Sequence, residues 1–261
     1  MPFTDNKNIR IHYEIEGNSD GPPMVLCHGF AESLKEWHIF GYVDALKDDY
    51  RLILMDGRGH GSSDKPLDPE AHKMIHRVAD VVSVLDRLNI NKAHFMGYSL
   101  GGNLGWGIAK FSPERFHSLI IGGSHPYEIP LEETDPFREF AIPLIRQGMR
   151  AVYDFIVEGH PAYETPEWKA IIMANDPKAL LAYLLMREYV DYIDVLPTIT
   201  QPLLLYVGES DSDYSQAKKC VEYIPNVTFV SLPNLDHEEA FYRSEIVLPH
   251  IIKFLSEISR T

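Results

Sequence analysis

A chain of 261 residues with 45% hydrophobic side chains is long enough for one large domain with a buried core, and its composition excludes a disordered or fibrous protein. The 38 acidic residues outnumber the 24 basic ones, and the resulting formal charge of -14 repels nucleic-acid backbones and anionic membrane surfaces, so neutral substrates are favoured. Cys27 and Cys220 cannot build a disulfide framework, no charged-then-apolar leader opens the chain, and no apolar run nears the ~20 residues that cross a bilayer, which predicts a soluble protein of the reducing cytoplasm.

In chain order, residues 9–14 alternate in polarity and predict an antiparallel edge strand. Short apolar runs at 24–27, 51–55, 93–96, 119–121, 203–207 and 228–232 predict buried strands. Between them lie helical patterns. In 72–88 the apolar residues Met74, Ile75, Val78, Val81, Val82, Leu85 and Leu88 keep close to a 3.6 period. This alternation predicts an α/β fold with a mostly parallel sheet. Residues 126–197 break the rhythm, with helical patterns at 137–149, 152–157, 167–174 and 178–191 and no convincing strand. They predict an all-helical insertion that divides the main domain into 1–125 and 198–261. Its aromatic and apolar residues (Phe137, Phe140, Tyr153, Phe155, Trp168, Met173, Tyr183, Met186 and Tyr189) are expected mostly to pack the insertion onto itself and the main domain, because apolar stripes at helical spacing are ordinarily core.

The pentapeptide Gly97-Tyr98-Ser99-Leu100-Gly101 falls where the strand at 93–96 ends and a helix starts. A serine on such a sharp strand-to-helix turn sits in strained backbone that demands small neighbours two residues away on each side, and its hydroxyl projects above the sheet. The helix N-terminus behind it offers free N–H groups and the positive end of a dipole. The glycine-rich run Asp56-Gly57-Arg58-Gly59-His60-Gly61 lacks the spacing of a phosphate-binding loop, so no cofactor is expected. The twelve histidines show no H-E-x-x-H or paired Cys/His spacing, and no metal is expected.

With these landmarks the sequence resembles the α/β-hydrolase superfamily, in its serine-nucleophile branch with a helical cap, over nearly its whole length. The matching pieces are His28-Gly29, Asp56 to Ser63, Gly97 to Gly102, Gly208-Glu209-Ser210-Asp211 and Asp236-His237. The resemblance implies Ser99 as nucleophile, His237 as base and Asp211 as the acid that orients it, in the chain order Ser, Asp, His. Glu209 and Asp213 are rivals for the acid. Of the other histidines, His12, His38, His72, His76 and His117 are expected at the surface and His94 in a structural role. Many relatives have glycine where this chain has Asp236, which leaves the backbone before His237 open. The resemblance also implies an oxyanion hole from the backbone N–H groups of Leu100 and Phe30, with His28 shaping a tight loop. The activity implied is hydrolysis of a small, neutral, apolar carboxylic ester or lactone, acyl homoserine lactones included, by a cofactor-free monomer or homodimer that engages neither nucleic acid nor membrane. Carbon–carbon bond hydrolysis, perhydrolase or haloperoxidase chemistry, and a non-catalytic receptor are the alternatives. The first would need a basic residue for an anionic substrate, with Arg58, Arg138, Arg146, Arg150 and Arg187 as candidates. Epoxide hydrolases and haloalkane dehalogenases carry an aspartate at the position of Ser99 and are disfavoured.

Overall fold

The computed structural model describes residues 2–127, 133–186, 188 and 190–259. Eight strands form one sheet: β1 (Phe3–Asn6), β2 (Ile9–Gly17), β3 (Pro23–Cys27), β4 (Arg51–Met55), β5 (Ala93–Tyr98), β6 (Phe116–Gly122), β7 (Leu203–Gly208) and β8 (Val227–Leu232). Their spatial order is β1-β2-β4-β3-β5-β6-β7-β8, and from β4 to β8 every pair is parallel. The apolar runs become the central strands because a strand covered on both faces has no polar side to show; all six residues of β5 and of β7 are buried. Residues 9–14 are antiparallel to β4 but not at the edge, which β1 occupies through a hairpin. The hairpin turn, Lys7-Asn8, has both residues at positive φ, the backbone that matches the twist of paired strands.

Side chains alternate across the sheet and split the core in two. Met24, Leu26, Leu52, Leu54, Met96, Ile120, Leu204 and Tyr206 face one side, under α1 (Glu36–Ile39), α2 (Tyr42–Leu46), α10 (Glu239–Tyr242) and α11 (Ser244–Ile258). Val25, Ile53, Phe95, Leu119, Ile121, Leu203 and Leu205 face the other, under α3 (Met74–Arg87), α4 (Leu100–Phe111) and α9 (Tyr214–Cys220).

Among the described residues four α-helices separate β6 from β7: α5 (Pro136–Arg146), α6 (Met149–Gly159), α7 (Pro166–Met173) and α8 (Pro177–Leu185). Three of them start by one device: Asp135, Thr165 and Asp176 accept hydrogen bonds from backbone N–H groups of the first turn, and a proline follows each. The helix expected over 137–149 ends earlier, at Arg146, because Gly148 takes φ 104° and starts α6. The helix expected to reach residue 191 stops at Leu185. Trp168, Tyr153, Ile172 and Leu180 join the first core, so much of the apolar content of these helices is packing. Arg187, Tyr189 and Glu128 lie outside the described residues. No helix among the described residues is long and apolar enough to cross a membrane.

Candidate active site

Ser99 stands between β5 and α4 with φ 52° and ψ -108°, a backbone rarely adopted by a residue with a side chain. Its surroundings hold it there. The Ser99 N–H donates to Gly122 O on β6 (2.9 Å), and its own carbonyl accepts from Asn103 N–H (2.8 Å), opening α4. The flanking glycines are obligatory on space alone, since a Cβ on Gly97 would stand 2.2 Å from Gly101 O and one on Gly101 would stand 2.0 Å from Cys27 O. The turn thus aims Ser99 Oγ away from the sheet.

His237 follows β8 and reaches the serine with Nε2, 2.9 Å from Ser99 Oγ. Its Nδ1 lies 2.8 Å from Asp211 Oδ2, in the loop after β7. A third of the imidazole side chain stays exposed whereas the Asp211 side chain is fully buried, so the ring can meet a ligand while its orienting partner is shut from solvent. Burial opposes charge on His237, but the hydrogen bond and negative charge of Asp211, with Glu238 and Asp213 behind them, prevail and raise its pKa to about 9. Burial likewise works against the Asp211 carboxylate, yet the His237 bond, its charge and the Asp213 N–H bring its pKa below the usual range. Of the rivals, Glu209 accepts from the Ser231 hydroxyl, and Asp213 sits 3.7 Å from His125. Neither is bonded to His237.

Leu100, first residue of α4, has an N–H with no acceptor available within its helix. Phe30 lies in the loop after β3, whose shape is fixed from several sides. His28 Nδ1 donates to Gly29 O (2.7 Å) and its Nε2 accepts from Gly57 N–H (3.0 Å), which ties the loops after β3 and β4 together. Asn175, beyond α7, donates to Ala31 O (2.5 Å) where Ala31 takes φ 61°. Phe30 packs against Phe137 of α5 and Tyr183 of α8, each with ring centroids 5.6 Å away. Residues from the four-helix segment therefore stand over the loop beside Ser99.

Several participants were not legible in the sequence. Tyr98 donates its hydroxyl to His237 O (2.5 Å) and packs its ring against the imidazole, 5.4 Å between centroids. Asp236, which stands where many relatives have glycine, accepts from Glu239 N–H at the start of α10 and lies 2.9 Å from His160 Nε2. Arg77 donates to Leu100 O (3.0 Å) and to Tyr183 Oη (3.3 Å), bridging α4 and α8.

His12 and His72 are buried, not at the surface: His12 Nδ1 bonds Asp56 (2.8 Å) and His72 Nε2 bonds Pro66 O (3.0 Å). Both partners lie elsewhere in the chain or in an irregular loop, so local polarity misled. The run after β4 is a structural loop. Asp56 accepts from Leu34 N–H and Ser62 N–H as well as bonding His12, and Arg58 makes a two-pronged ion pair with Asp80 at 2.6 Å. Arg138 and Arg150 are paired with Asp135 and Asp154. Among the described residues two groups bring possible metal-ligand atoms within 4.8 Å of one another, Glu14, Glu16 and His38, and His160, Asp236 and Glu238.

A profile of the alpha/beta hydrolase fold matches residues 22–160. Mouse epoxide hydrolase 4 is 31% identical over 235 residues, an alignment spanning 79% of this chain and 64% of that protein. Among solved structures, a hydrolase from Pseudomonas aeruginosa superimposes with a TM-score of 0.84 at 23% identity, covering 97% of both chains. An enol-lactonase from Burkholderia xenovorans gives 0.82 at 22% identity, covering 98% of this chain and all of that one. A profile match over more than half the chain, on an eight-stranded sheet that carries a serine at a strained strand-to-helix turn, means that the protein belongs to the alpha/beta hydrolase fold family.

Proposed function

We propose that the protein is a serine hydrolase that cleaves a carboxylic ester or lactone through an acyl-enzyme, with Ser99, His237 and Asp211 as its triad. The carrying observation is the unbroken chain from Ser99 Oγ through the His237 ring to Asp211, at 2.9 and 2.8 Å. A serine hydroxyl is a poor nucleophile unless a positioned base takes its proton. Ser99 Oγ attacks the acyl carbon while His237 Nε2 accepts the proton, and Asp211 stabilises the imidazolium. The N–H groups of Leu100 and Phe30 receive the oxyanion, a contribution of roughly 3 kcal/mol per donor in comparable sites. Collapse expels the alcohol oxygen, which takes the proton from Nε2. Water, deprotonated by the same nitrogen, then releases the acid and restores Ser99. In a lactone the expelled oxygen remains part of the product.

The name of the mouse relative suggests epoxide chemistry, but the aspartate nucleophile of that branch is replaced by Ser99, which favours acyl transfer. Ion pairs occupy Arg58, Arg138 and Arg150, which favours a neutral acyl group over an anionic dienoate. The helices of residues 126–197 act as a cap, and Phe30, Phe137 and Tyr183 give the acyl group an aromatic wall.

The test is hydrolysis of p-nitrophenyl esters from acetyl to decanoyl, beside a lactone panel, by wild type and Ser99→Ala. Turnover by the wild type that falls at least about 10⁴-fold in the variant is the expected result. A folded wild type that turns over neither panel would overturn the proposal.

A further inference from the structure

Glu36 is a fully buried carboxyl on α1, and among the described residues no lysine or arginine forms an ion pair with it. Its Oε1 accepts from Gly29 N–H at 3.2 Å, the residue immediately before Phe30. Its Oε2 is shut from solvent and, read as a plain carboxylate oxygen, has no hydrogen-bond partner. The ionisable group that acts on it most strongly is the side chain of Glu32, carboxyl facing carboxyl. Two carboxylates cannot bond to each other, whereas a carboxylic acid donates well to a carboxylate. A proton on Glu36 Oε2 therefore accounts at once for the orphaned oxygen and for the close approach of two acids. Glu32 also borders the nucleophile. The point where a Cβ on Gly29 would stand is 2.5 Å from Glu32 Oε2 and 3.9 Å from Ser99 Cβ.

We propose that the Glu32–Glu36 carboxyl pair, with a single shared proton, is the positioning unit of the oxyanion loop. It fixes Gly29 through Oε1 of Glu36 and thereby the N–H of Phe30. This inference rests on the acyl-enzyme reading of Ser99. Glu36 is a positioning residue, acting through Gly29 rather than on the substrate. Burial first, and the Glu32 charge second, push its carboxyl well above the usual carboxylate range, against the opposing pull of the Gly29 N–H. The pair is faced by His28 beyond β3, Asp56 beyond β4, and His237 and Glu238 beyond β8. The hydroxyls of Tyr42, Tyr206 and Tyr242 close the surround. None of these is a fixed cation that would force both acids to ionise.

Two variants separate the roles. Glu36→Gln keeps an acceptor for Gly29 and a donor for Glu32, and should retain kcat within a few-fold. Glu36→Leu removes both and should lower kcat on the order of 10²-fold with KM little changed, the scale of losing one oxyanion donor. The ratio of oxoester to thionoester turnover should fall with it, because sulfur accepts the oxyanion-hole bonds poorly and a purely structural defect would slow both substrates alike. A readout that needs no folded Leu variant is carboxyl ¹³C NMR of the wild type, with the Glu36 resonance assigned by its loss in Glu36→Gln. It should report a protonated acid at pH 7. An ionised Glu36, or a folded Glu36→Leu with wild-type kcat and oxo/thiono ratio, overturns the carboxyl pair alone. An inert wild type whose Ser99 does not react with a fluorophosphonate overturns the pair and the acyl-enzyme reading together.

Discussion

Around Ser99, charge and strain are balanced by single side chains. The imidazole of His237 is useful as a base only when neutral, and the acids about it favour the charged form, with a pKa raised to about 9. With the unfolded value near 6.5, below 9 most of the free protein carries the protonated ring. The kcat/KM of ester hydrolysis should therefore climb about tenfold per pH unit from neutrality and level off near pH 9. Glu238→Gln removes one of the raising charges, so the midpoint of that limb should move to lower pH, as a pH–rate profile of the two proteins would show. A midpoint that stays put would mean that Glu238 does not act on the ring. The residues that fit this balance and escaped a reading of the sequence, Tyr98, Glu36 and Asn175, do so through bonds to backbone atoms at other points in the chain: His237 O, Gly29 N and Ala31 O. Nothing in their immediate neighbours marks them.

At the scale of elements, the site depends on how closely α4 approaches β3. The contact is backbone against backbone, and Gly101 is where it is tightest: an added Cβ would stand 2.0 Å from Cys27 O and 3.1 Å from His28 O. No rotamer relieves such a clash, so α4 or β3 must move. Gly101→Ala should destabilise the fold by about 3 kcal/mol, at the upper end of overpacking costs, and should lower ester turnover as Leu100 shifts. Urea unfolding beside a kinetic assay checks both, and an alanine variant of wild-type stability would contradict the packing described. The strand and helix content was readable because period and propensity are local properties. Helix ends were readable only in part. The Asp-Pro and Thr-Pro starts of α5, α7 and α8 are sequence signals, whereas the break at Gly148 and the stop at Leu185 lie inside continuous apolar patterns.

For the whole molecule, the decisive contact is between the helices separating β6 from β7 and the loop that carries Phe30. Phe137 is half exposed and meets Phe30 edge-on, and Phe140 packs at a tilt against Phe155, both also half exposed. Phe137→Ala removes an aromatic wall without opening the core. It should raise KM for medium-chain esters by roughly tenfold, the scale of one aromatic contact, and leave acetyl esters nearly unchanged. A chain-length series on the variant reads this directly, and an unaltered preference would place the acyl path elsewhere. The succession of strands along the chain and the sharp turn at Ser99 could be anticipated because each depends on short runs: apolar stretches and glycine spacing. The burial of His12 and His72, the carboxyl pair of Glu32 and Glu36, the bond from Asp236 to His160 and the aromatic cover over Phe30 were decided only by the tertiary structure. Each joins groups whose energy depends on the low-dielectric surroundings and on partners brought in from distant segments, and neither exists until the chain has folded.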